Sequence, residues 1–427
     1  TVAWTIGRAT ISAVPSQSGS LTYTGSVQSP SWSGYDSAKM TLGGTTSGTN
    51  AGSYNASFTP TGNYKWSDGT TGAKTVAWSI GKAAGSLSLS PTTLSLNATT
   101  KTGTITVTRA GDGAITATSS ATGVATVSVS GNTVTVTGVA YGTATITVKV
   151  AAGTNHNAPA DKTCSVSVNI FNSTLNSNTW AQIKAASDAG EGANFWDVGD
   201  TKTITINGTA GATTFSNLSV DAFILGFNHN STKEGTGRIH FQIGKIGGKD
   251  VCLCDSNYNS QQTASGKFAM NTSNTNSGGW NNSHMRKTVL GSNATPTSPT
   301  ANTLLACLPA DLRAVMKSVT KYSDNTGGGS NTASYVTATT DYLWLLSEFE
   351  VHGSRSYANS AEQNSQAQYD YYKAGNSKVK YKHNATTTAA IWWLRSVHAD
   401  SSLHFCRVYA GGGAGNYNAN RSYGVAP

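Results

Sequence analysis

A nine-residue word returns almost unchanged 74 residues later. Thr1-Val2-Ala3-Trp4-Thr5-Ile6-Gly7-Arg8-Ala9 reappears as Thr75-Val76-Ala77-Trp78-Ser79-Ile80-Gly81-Lys82-Ala83. Val, Trp and Ile occupy alternate positions in both copies, the period-two pattern of a half-buried strand. An interval of this length fits β-modules in series, because solenoid repeats run about 20–50 residues. The first copy, residues 1–9, is expected to be the closing strand of a module whose body lies upstream. Residues 10–83 are then the next complete module. Inside it, Tyr23-Thr24-Gly25, Gly34-Tyr35-Asp36, Asn50-Ala51-Gly52-Ser53-Tyr54 and Asn63-Tyr64-Lys65-Trp66-Ser67-Asp68-Gly69-Thr70 punctuate short alternating strands.

These words resemble the MBG-type Ig-like repeats of large bacterial surface proteins. Residues 84–170 read as a second β-sandwich, with Leu94-Ser95-Leu96 and Thr104-Ile105-Thr106-Val107-Thr108 alternating cleanly between turns. Gly123-Val124-Ala125-Thr126-Val127-Ser128 and Gly138-Val139-Ala140-Tyr141-Gly142-Thr143-Ala144-Thr145-Ile146-Thr147-Val148 resemble the bacterial group-2 Ig-like domain. That resemblance implies a spacer.

Composition supports β-structure with polar turns. Only 11% of residues are charged, against about 25% in ordinary soluble domains, and Thr, Ser, Asn and Gly take their place. The net charge of +9 is thinly spread: nine Lys/Arg against four Asp/Glu in residues 1–170, and twenty against sixteen in 171–427. Neither part has the concentrated basic face of a nucleic-acid binder. No run of about 18 apolar residues offers a membrane span. Cys164, Cys252, Cys254, Cys307 and Cys406 are odd in number and make no disulfide framework. Cys252 and Cys254 are expected to share one strand face as buried thiols, which suits folding in a reducing cytosol.

From Phe171 helical patterns appear between strands, giving an α+β reading for 171–427. Helices are expected at 179–186, with Thr179 as N-cap and Gly190 as stop, at 304–322, where Pro309 resets the start, and at 361–373. Strands are expected at 201–206, 221–228, 238–245, 249–254, 341–351 and 403–409, and long polar loops at 256–283 and 324–334. Lys378, Lys380 and Lys382 would share one face of a solvated edge strand, the other reading being contact with an anionic surface polymer.

Asp341, Glu348, Glu350 and His352 form the best carboxylate cluster, and the last three would share one strand face. No nucleophile, phosphate loop or zinc signature accompanies them. Structural hydrogen bonding to Arg395 or Arg286 is the expectation, without cofactor or metal, and an enzyme is disfavoured. His229, His240 and His284 read as satisfied core or surface groups.

The terminal stretch IWWLRSVHADSSLHFCRVYAGGGAGNYNANRSYGVAP, residues 391–427, opens on an apolar anchor, Ile391 to Leu394, followed by Arg395-Ser396. With Gly244-Lys245-Ile246-Gly247-Gly248-Lys249, Asn276-Ser277-Gly278-Gly279-Trp280, Ser283-His284-Met285-Arg286 and Asp341-Tyr342-Leu343-Trp344-Leu345-Leu346-Ser347-Glu348, it resembles an uncharacterised C-terminal domain family of tailed-phage, prophage and bacterial surface proteins. The ending is similar to the C-type-lectin-like fold of phage tropism determinants and the sulfatase-modifying-factor superfamily. Ala426 stands where Arg is common there, and the modifying enzyme's cysteine arrangement is missing. The implied architecture is multidomain: all-β Ig-like sandwiches in series, then an α+β C-type-lectin-like domain over 171–427. The resemblance also implies a core strand at 391–396, a closing strand at 424–427, and a displayed, adenine-diversified segment between them.

His398, Asp400, Ser402, His404, Arg407, Tyr409, Asn416, Tyr417, Asn418, Asn420, Arg421 and Tyr423 are the candidate ligand-binding residues, a mixture rich in rings, donors and acceptors. The other reading of this stretch is an Asn/Gly-rich loop adapted to its turns. The expected function is non-enzymatic: a bacteriophage tail or capsid fibre on the virion surface. It would meet a host-surface glycan or protein at its tip and other virion proteins elsewhere, as a homo-oligomer such as a trimer, gaining avidity from many copies. A bacterial cell-wall adhesin of the same architecture and a purely structural virion component are the alternatives.

Overall fold

The computed structural model describes residues 2–261 and 266–427. They fall into two compact units, Thr1–Ile170 and Phe171–Pro427. The first unit is entirely β. A four-stranded sheet, Leu21–Thr22, Lys74–Gly81, Gly52–Pro60 and Met40–Gly44 in spatial order, carries the first core. Trp78 and Ile80 alternate inward on Lys74–Gly81 and join Met40, Phe58 and Trp66. Their counterparts in the first copy of the word behave differently. Residues 2–8 form no strand, and Trp4 and Ile6 stand 90% and 97% exposed. The physical reason is that Trp78 stacks on Tyr54 of a neighbouring strand, whereas no described sheet lies beside Trp4.

The second sandwich packs two four-stranded sheets. One holds Thr93–Asn97, Lys162–Asn169, Gly142–Val150 and Ile115–Ser119; the other holds Ala125–Ser130, Thr133–Gly138, Thr102–Ala110 and Ser86–Ser90. Ile105 and Val107 point inward while Thr104, Thr106 and Thr108 face solvent. With Val134, Val136, Ile146, Val148 and Val166 they make a closed aliphatic core, each contributing about 1.5–3 kcal/mol by burial. Cys164 lies in this core as a buried thiol.

In the second unit a six-stranded sheet runs Thr201–Ala210, Thr213–Phe227, Ile239–Ile246, Lys249–Cys252, Lys380–Lys382 and Ala385–Ala390. Beside it stand a hairpin, Val319–Asp324 with Val336–Asp341, and a three-stranded sheet, Trp392–Val397, His404–Val408 and Ala414–Asn418. The helix Trp180–Asp188 forms as the sequence implies. Thr179 and Gln182 make a reciprocal capping box, and Gly190 follows in the left-handed region at φ 76°. Of the expected loop 256–283, residues 262–265 lie outside the described residues.

Three expected elements are corrected. The helix over 304–322 is two single turns, Leu304–Cys307 and Ala310–Arg313, followed by the strand Val319–Asp324. Pro309 forces Leu308 into an extended conformation, ψ 151°, and the β-branched run after it pairs with Val336–Asp341. The strand expected over 341–351 is a strand end and then a helix, Glu348–His352. Ser347 caps that helix against Glu350 in a capping box the apolar spacing concealed. The helix over 361–373 is a 3₁₀ turn, Ser360–Asn364, and a separate turn, Asp370–Lys373. Asn359 caps the first, and Glu362 is drawn into the core.

The lysine strand is also corrected. Lys380–Lys382 is interior to the six-stranded sheet, and Lys380 is fully buried. Its ammonium donates to Gln242 Oε1 at 3.0 Å and lies over the rings of Trp392 and Phe223. Burial pulls this amine down to about 8 from 10.5, and the Asp250 charge opposes that only in part. Because the folded value lies below the unfolded one, the ammonium weakens the fold fully below pH 8. The penalty, on the order of 3 kcal/mol, fades as pH rises from 8 to 10.5. Lys380→Met is therefore expected to raise the thermal midpoint of the second unit at pH 7 and to do so less at pH 10. An unchanged or lowered midpoint at pH 7 contradicts this.

Candidate functional site

The candidate surface is built on the three-stranded sheet. Trp393 lies opposite Arg407, which lies opposite Gly415; Trp392 lies opposite Val408, which lies opposite Ala414. Strand alternation thus sorts the side chains. Trp392, Leu394, Cys406 and Val408 enter the main core. Trp393, Arg407 and Tyr417 turn to the other face, where Tyr423 packs edge-on against Trp393 and Tyr417. The closing segment locks the sheet in place: Gly424 bridges Trp392, Val425 bridges Leu253, and Ile243 N donates to the Pro427 carbonyl at 2.8 Å.

Arg407 is the centre of the outer face. Its guanidinium carbon sits 4.7 Å from the ring centre of Tyr409, 4.5 Å from Tyr417 and 4.8 Å from Tyr423. Tyr409 and Tyr417 are exposed, at 42% and 37%, while Arg407 beneath them is only 5% exposed. Arg421 reaches the same ring of Tyr417 at 5.7 Å. The described arginine–carboxylate pairs are Arg286–Asp341 and Arg395–Glu350; neither Arg407 nor Arg421 is among them. Arg407 Nε and Nη1 and Arg421 Nε are buried with no hydrogen-bond partner. Ring contacts return about 0.5–2 kcal/mol each, whereas each unmade bond of a buried donor costs about 1–3 kcal/mol. The arrangement holds a cation that still wants an acceptor. Gly415 makes room for it: the Tyr409 ring lies where a Cβ on residue 415 would come within 2.4 Å.

The twelve candidate residues do not form one patch. Arg407, Tyr409, Tyr417, Arg421 and Tyr423 come together. His404, Asn416 and Asn418 occupy the alternate positions of the hairpin and are half-buried, although the His404 ring lies parallel to Tyr417 at 6.4 Å. Asp400 and Ser402 are exposed on the loop before the hairpin. His398 is half-buried there, 6.0 Å from His404; burial first and His404 second push its imidazole below the usual range. Asn420 and Tyr423 are corrected to interior positions, 3% and 2% exposed. The Tyr423 ring is fixed by Trp393 and Arg407, which makes it a support for the surface.

Three contributors went unseen in the sequence, two of them, Tyr357 and Leu403, without any signal of their role. Asn276 is buried and donates through Nδ2 to the carbonyls of Ser401 at 2.6 Å and His404 at 2.9 Å, clamping the loop between them. Tyr357 packs on His398, and Leu403 is exposed next to His404 in the chain. A hint existed for Asn276, since the word that contains it also contains Gly278 and Gly279. A Cβ on Gly279 would lie 2.1 Å from the Asp324 carbonyl, a close approach only Gly permits.

Beneath the surface runs a sealed polar network. Arg395 pairs with Glu350 through both terminal nitrogens and donates from Nε to Ser323 Oγ at 2.7 Å. Lys321 donates to Glu350 Oε1 at 3.0 Å, Glu234 Oε1 at 2.8 Å and the Tyr369 hydroxyl at 2.8 Å. Arg286 Nε donates to Asp341 at 2.8 Å, and so does Trp280 Nε1 at 2.9 Å. Asp341 and Glu350 thus have the expected arginine partners, Glu350 from a helix, whereas Glu348 accepts instead from the backbone N–H groups of Tyr357 and Ala358. His229, Glu234 and His240 bring three metal-ligand atoms within 4.8 Å of one another. The Lys321 ammonium already balances that carboxylate. Cys252 and Cys254 share a face as expected, with sulfurs 3.8 Å apart and buried. The Cys252 contact, then burial, push the Cys254 thiol far above its usual range, which makes it a poor nucleophile. A separate apolar cavity of about 140 Å³ lies between Trp180, Phe241, Leu312 and Trp344.

Two family models match the chain: the bacterial Ig-like domain (group 2) over residues 69–160, and the domain of unknown function DUF6273 over residues 251–427. No curated protein sequence matches. Among solved structures, domains 4 and 5 of the S-layer protein SbsC are 27% identical with a TM-score of 0.18, over 28% of this chain and 58% of that one. InvD of Yersinia pseudotuberculosis is 14% identical with a TM-score of 0.19, over 44% of this chain and 56% of that one. FdeC, an Escherichia coli adhesin, is 14% identical with a TM-score of 0.18, over 48% of this chain and 63% of that one. The chain thus spans less than two thirds of each of these proteins. No helix among the described residues is long and apolar enough to cross a membrane. A group-2 bacterial Ig-like domain, followed by a DUF6273 domain that carries the arginine–tyrosine surface, is what this mostly-β chain contains.

Proposed function

We propose that the chain is a non-enzymatic, surface-displayed binding protein in which Ig-like spacers carry the recognition face of the C-terminal domain. The observation that supports this reading is the outer face of the terminal hairpin. Two exposed tyrosines cover an arginine whose Nε and Nη1 have no partner. Rigid tyrosine rings beside hydrogen-bond donors are the chemistry of recognition surfaces. The buried charges, by contrast, are paired with one another and closed off from substrate-sized molecules. A cell-surface glycan or protein is the class of partner this face suits. Display in several copies, as in a homo-oligomer, would turn weak single contacts into firm attachment.

The finer reading places the chain on a bacteriophage virion, with an MBG-type module before the group-2 domain and a C-type-lectin-like tip. Five buried free thiols favour assembly in a reducing compartment. The core strand Trp392–Val397, the hairpin after it and the closing segment at Gly424–Val425 follow the order that the lectin-like resemblance implies. Gold-labelled antibody against the chain is expected to decorate purified particles; decoration confined to cell walls would support the adhesin alternative instead.

Binding is tested on cells. Tyr409→Ala combined with Tyr417→Ala is expected to weaken attachment of the full chain to susceptible bacteria at least tenfold. The domain should stay folded at the assay temperature, although loss of the ring contacts to Arg407 lowers its thermal midpoint. Attachment at the unmodified level would remove this surface from the binding account.

A further inference from the structure

We infer that Arg407 is the receptor for a carboxylate on an acidic saccharide, whose sugar ring rests on Tyr417 and Tyr409. This rests on the recognition-surface reading and adds the ligand's charge and class.

The first support is the unspent capacity of the guanidinium. Arg407 is a nine-tenths buried cation whose Nε and Nη1 hydrogens meet no acceptor. Arg421, half-buried and sharing the Tyr417 ring, has an Nε that meets no acceptor as well. Buried polar groups are nearly always paired in folded proteins, and an orphan calls for an explanation. Two guanidinium groups at one ring, without a carboxylate of their own, present an uncompensated positive charge. An anionic acceptor from outside satisfies both the charge and the donors.

The second support is shape. Three rings stand 4.5 to 4.8 Å from the guanidinium carbon, so the space left around it is thin. A flat carboxylate enters such a slot more readily than a tetrahedral phosphate. Tyr409 and Tyr417, the two exposed rings, cover the guanidinium, so a carboxylate reaches it only when one of them turns aside. Once the carboxylate is seated, the ring faces lie where a pyranose can cover them. The His404 ring lies parallel to Tyr417 at 6.4 Å and borders the face on one side. A peptide carboxylate would use the arginine but leave the tyrosine faces without a flat partner.

The experiment titrates the full chain by calorimetry with four probes: trigalacturonate, its methyl ester, a glycerol-phosphate trimer, and a tripeptide of aspartate. The acid is expected to bind at least tenfold more tightly than its ester, with the phosphate and peptide probes weaker than the acid. Arg407→Met should abolish the difference between acid and ester, and Arg407→Lys should retain part of it. The acid-to-ester comparison on the unmodified chain stands even where Arg407→Met folds poorly. Equal binding of acid and ester, no binding of either, or preference for the phosphate or the peptide overturns the inference. Should cells still lose attachment with the Tyr409 and Tyr417 substitutions, the surface reading survives that failure. If those substitutions leave attachment intact, the surface reading itself has failed.

Discussion

Arg395→Met is expected to destabilise the C-terminal unit by about 3–5 kcal/mol, the usual cost of removing one partner from a buried ion pair. Arg395 is wholly buried on the strand Trp392–Val397, and its guanidinium is the main counter-charge of Glu350. Burial pushes the Glu350 carboxyl upward, but Arg395 and then Lys321 outweigh it and hold the group well below the usual carboxylate range. A depressed carboxyl stabilises the fold above its unfolded value of 4.5, and that contribution is lost as pH falls. In Arg395→Met only Lys321 remains opposite Glu350. Both the neutral-pH stability and its decline in acid should shrink together. Adding Glu350→Met is expected to recover part of the loss, because two apolar groups leave no stranded charge. Urea unfolding at pH 7 and pH 4 measures all three chains; a loss below about 1 kcal/mol for the single variant contradicts the assignment.

Glu362→Gln is expected to act with the opposite sign and in a different pH window. Glu362 is 1% exposed and accepts hydrogen bonds from Ser396 Oγ at 2.6 Å and from the Asp324 backbone at 2.9 Å. Burial, opposed by those bonds and reinforced by the Asp324 charge, raises its carboxyl to about 7. Here the folded state holds a proton that the unfolded chain releases above pH 4.5. The contribution is complete below pH 4.5 and is lost as pH rises to 7. The shift corresponds to roughly 3 kcal/mol. A neutral Gln carries no such dependence. Its stability should be nearly flat from pH 5 to pH 7 in this respect and exceed the parent's above pH 7. If both chains show the same slope across pH 5–7, Glu362 titrates normally and the prediction fails.

The local code was readable wherever one strand face met one core. Thr104 to Thr108 and Thr75 to Ile80 alternate so strictly that only one register buries their apolar side chains. Thr179 and Gly190 marked both ends of the helix between them. The spacing misled where polar residues were buried. Leu304 to Val319 has a helical stripe, yet Pro309 and the strand partner at 336–341 divide it. Ser347-Glu348-Phe349-Glu350 reads as an extension of a strand until the capping box is seen. Lys380 looks like a solubilising edge residue and is instead packed between Gln242, Trp392 and Phe223. For Lys380 the deciding partner, Gln242, lies far away in the chain, whereas the capping box is local and was masked by the apolar spacing around it.

The candidate surface shows the same division. Residue types alone picked out the terminal stretch as rich in rings and hydrogen-bonding groups and Ile391 to Leu394 as its apolar anchor; the lectin-like resemblance made that anchor a strand. The order of side chains along a strand is written into the sequence, because neighbours point to opposite faces. What the sequence could not state is which strands pair, and therefore that Gly415 lies opposite Arg407 and leaves space for the Tyr409 ring. Nor could it state that Tyr423 folds back under the sheet while Tyr417 stays outside. Local propensity and alternation act between near neighbours. The unpartnered guanidinium arises from contacts among three separate segments, and only tertiary packing brings those together.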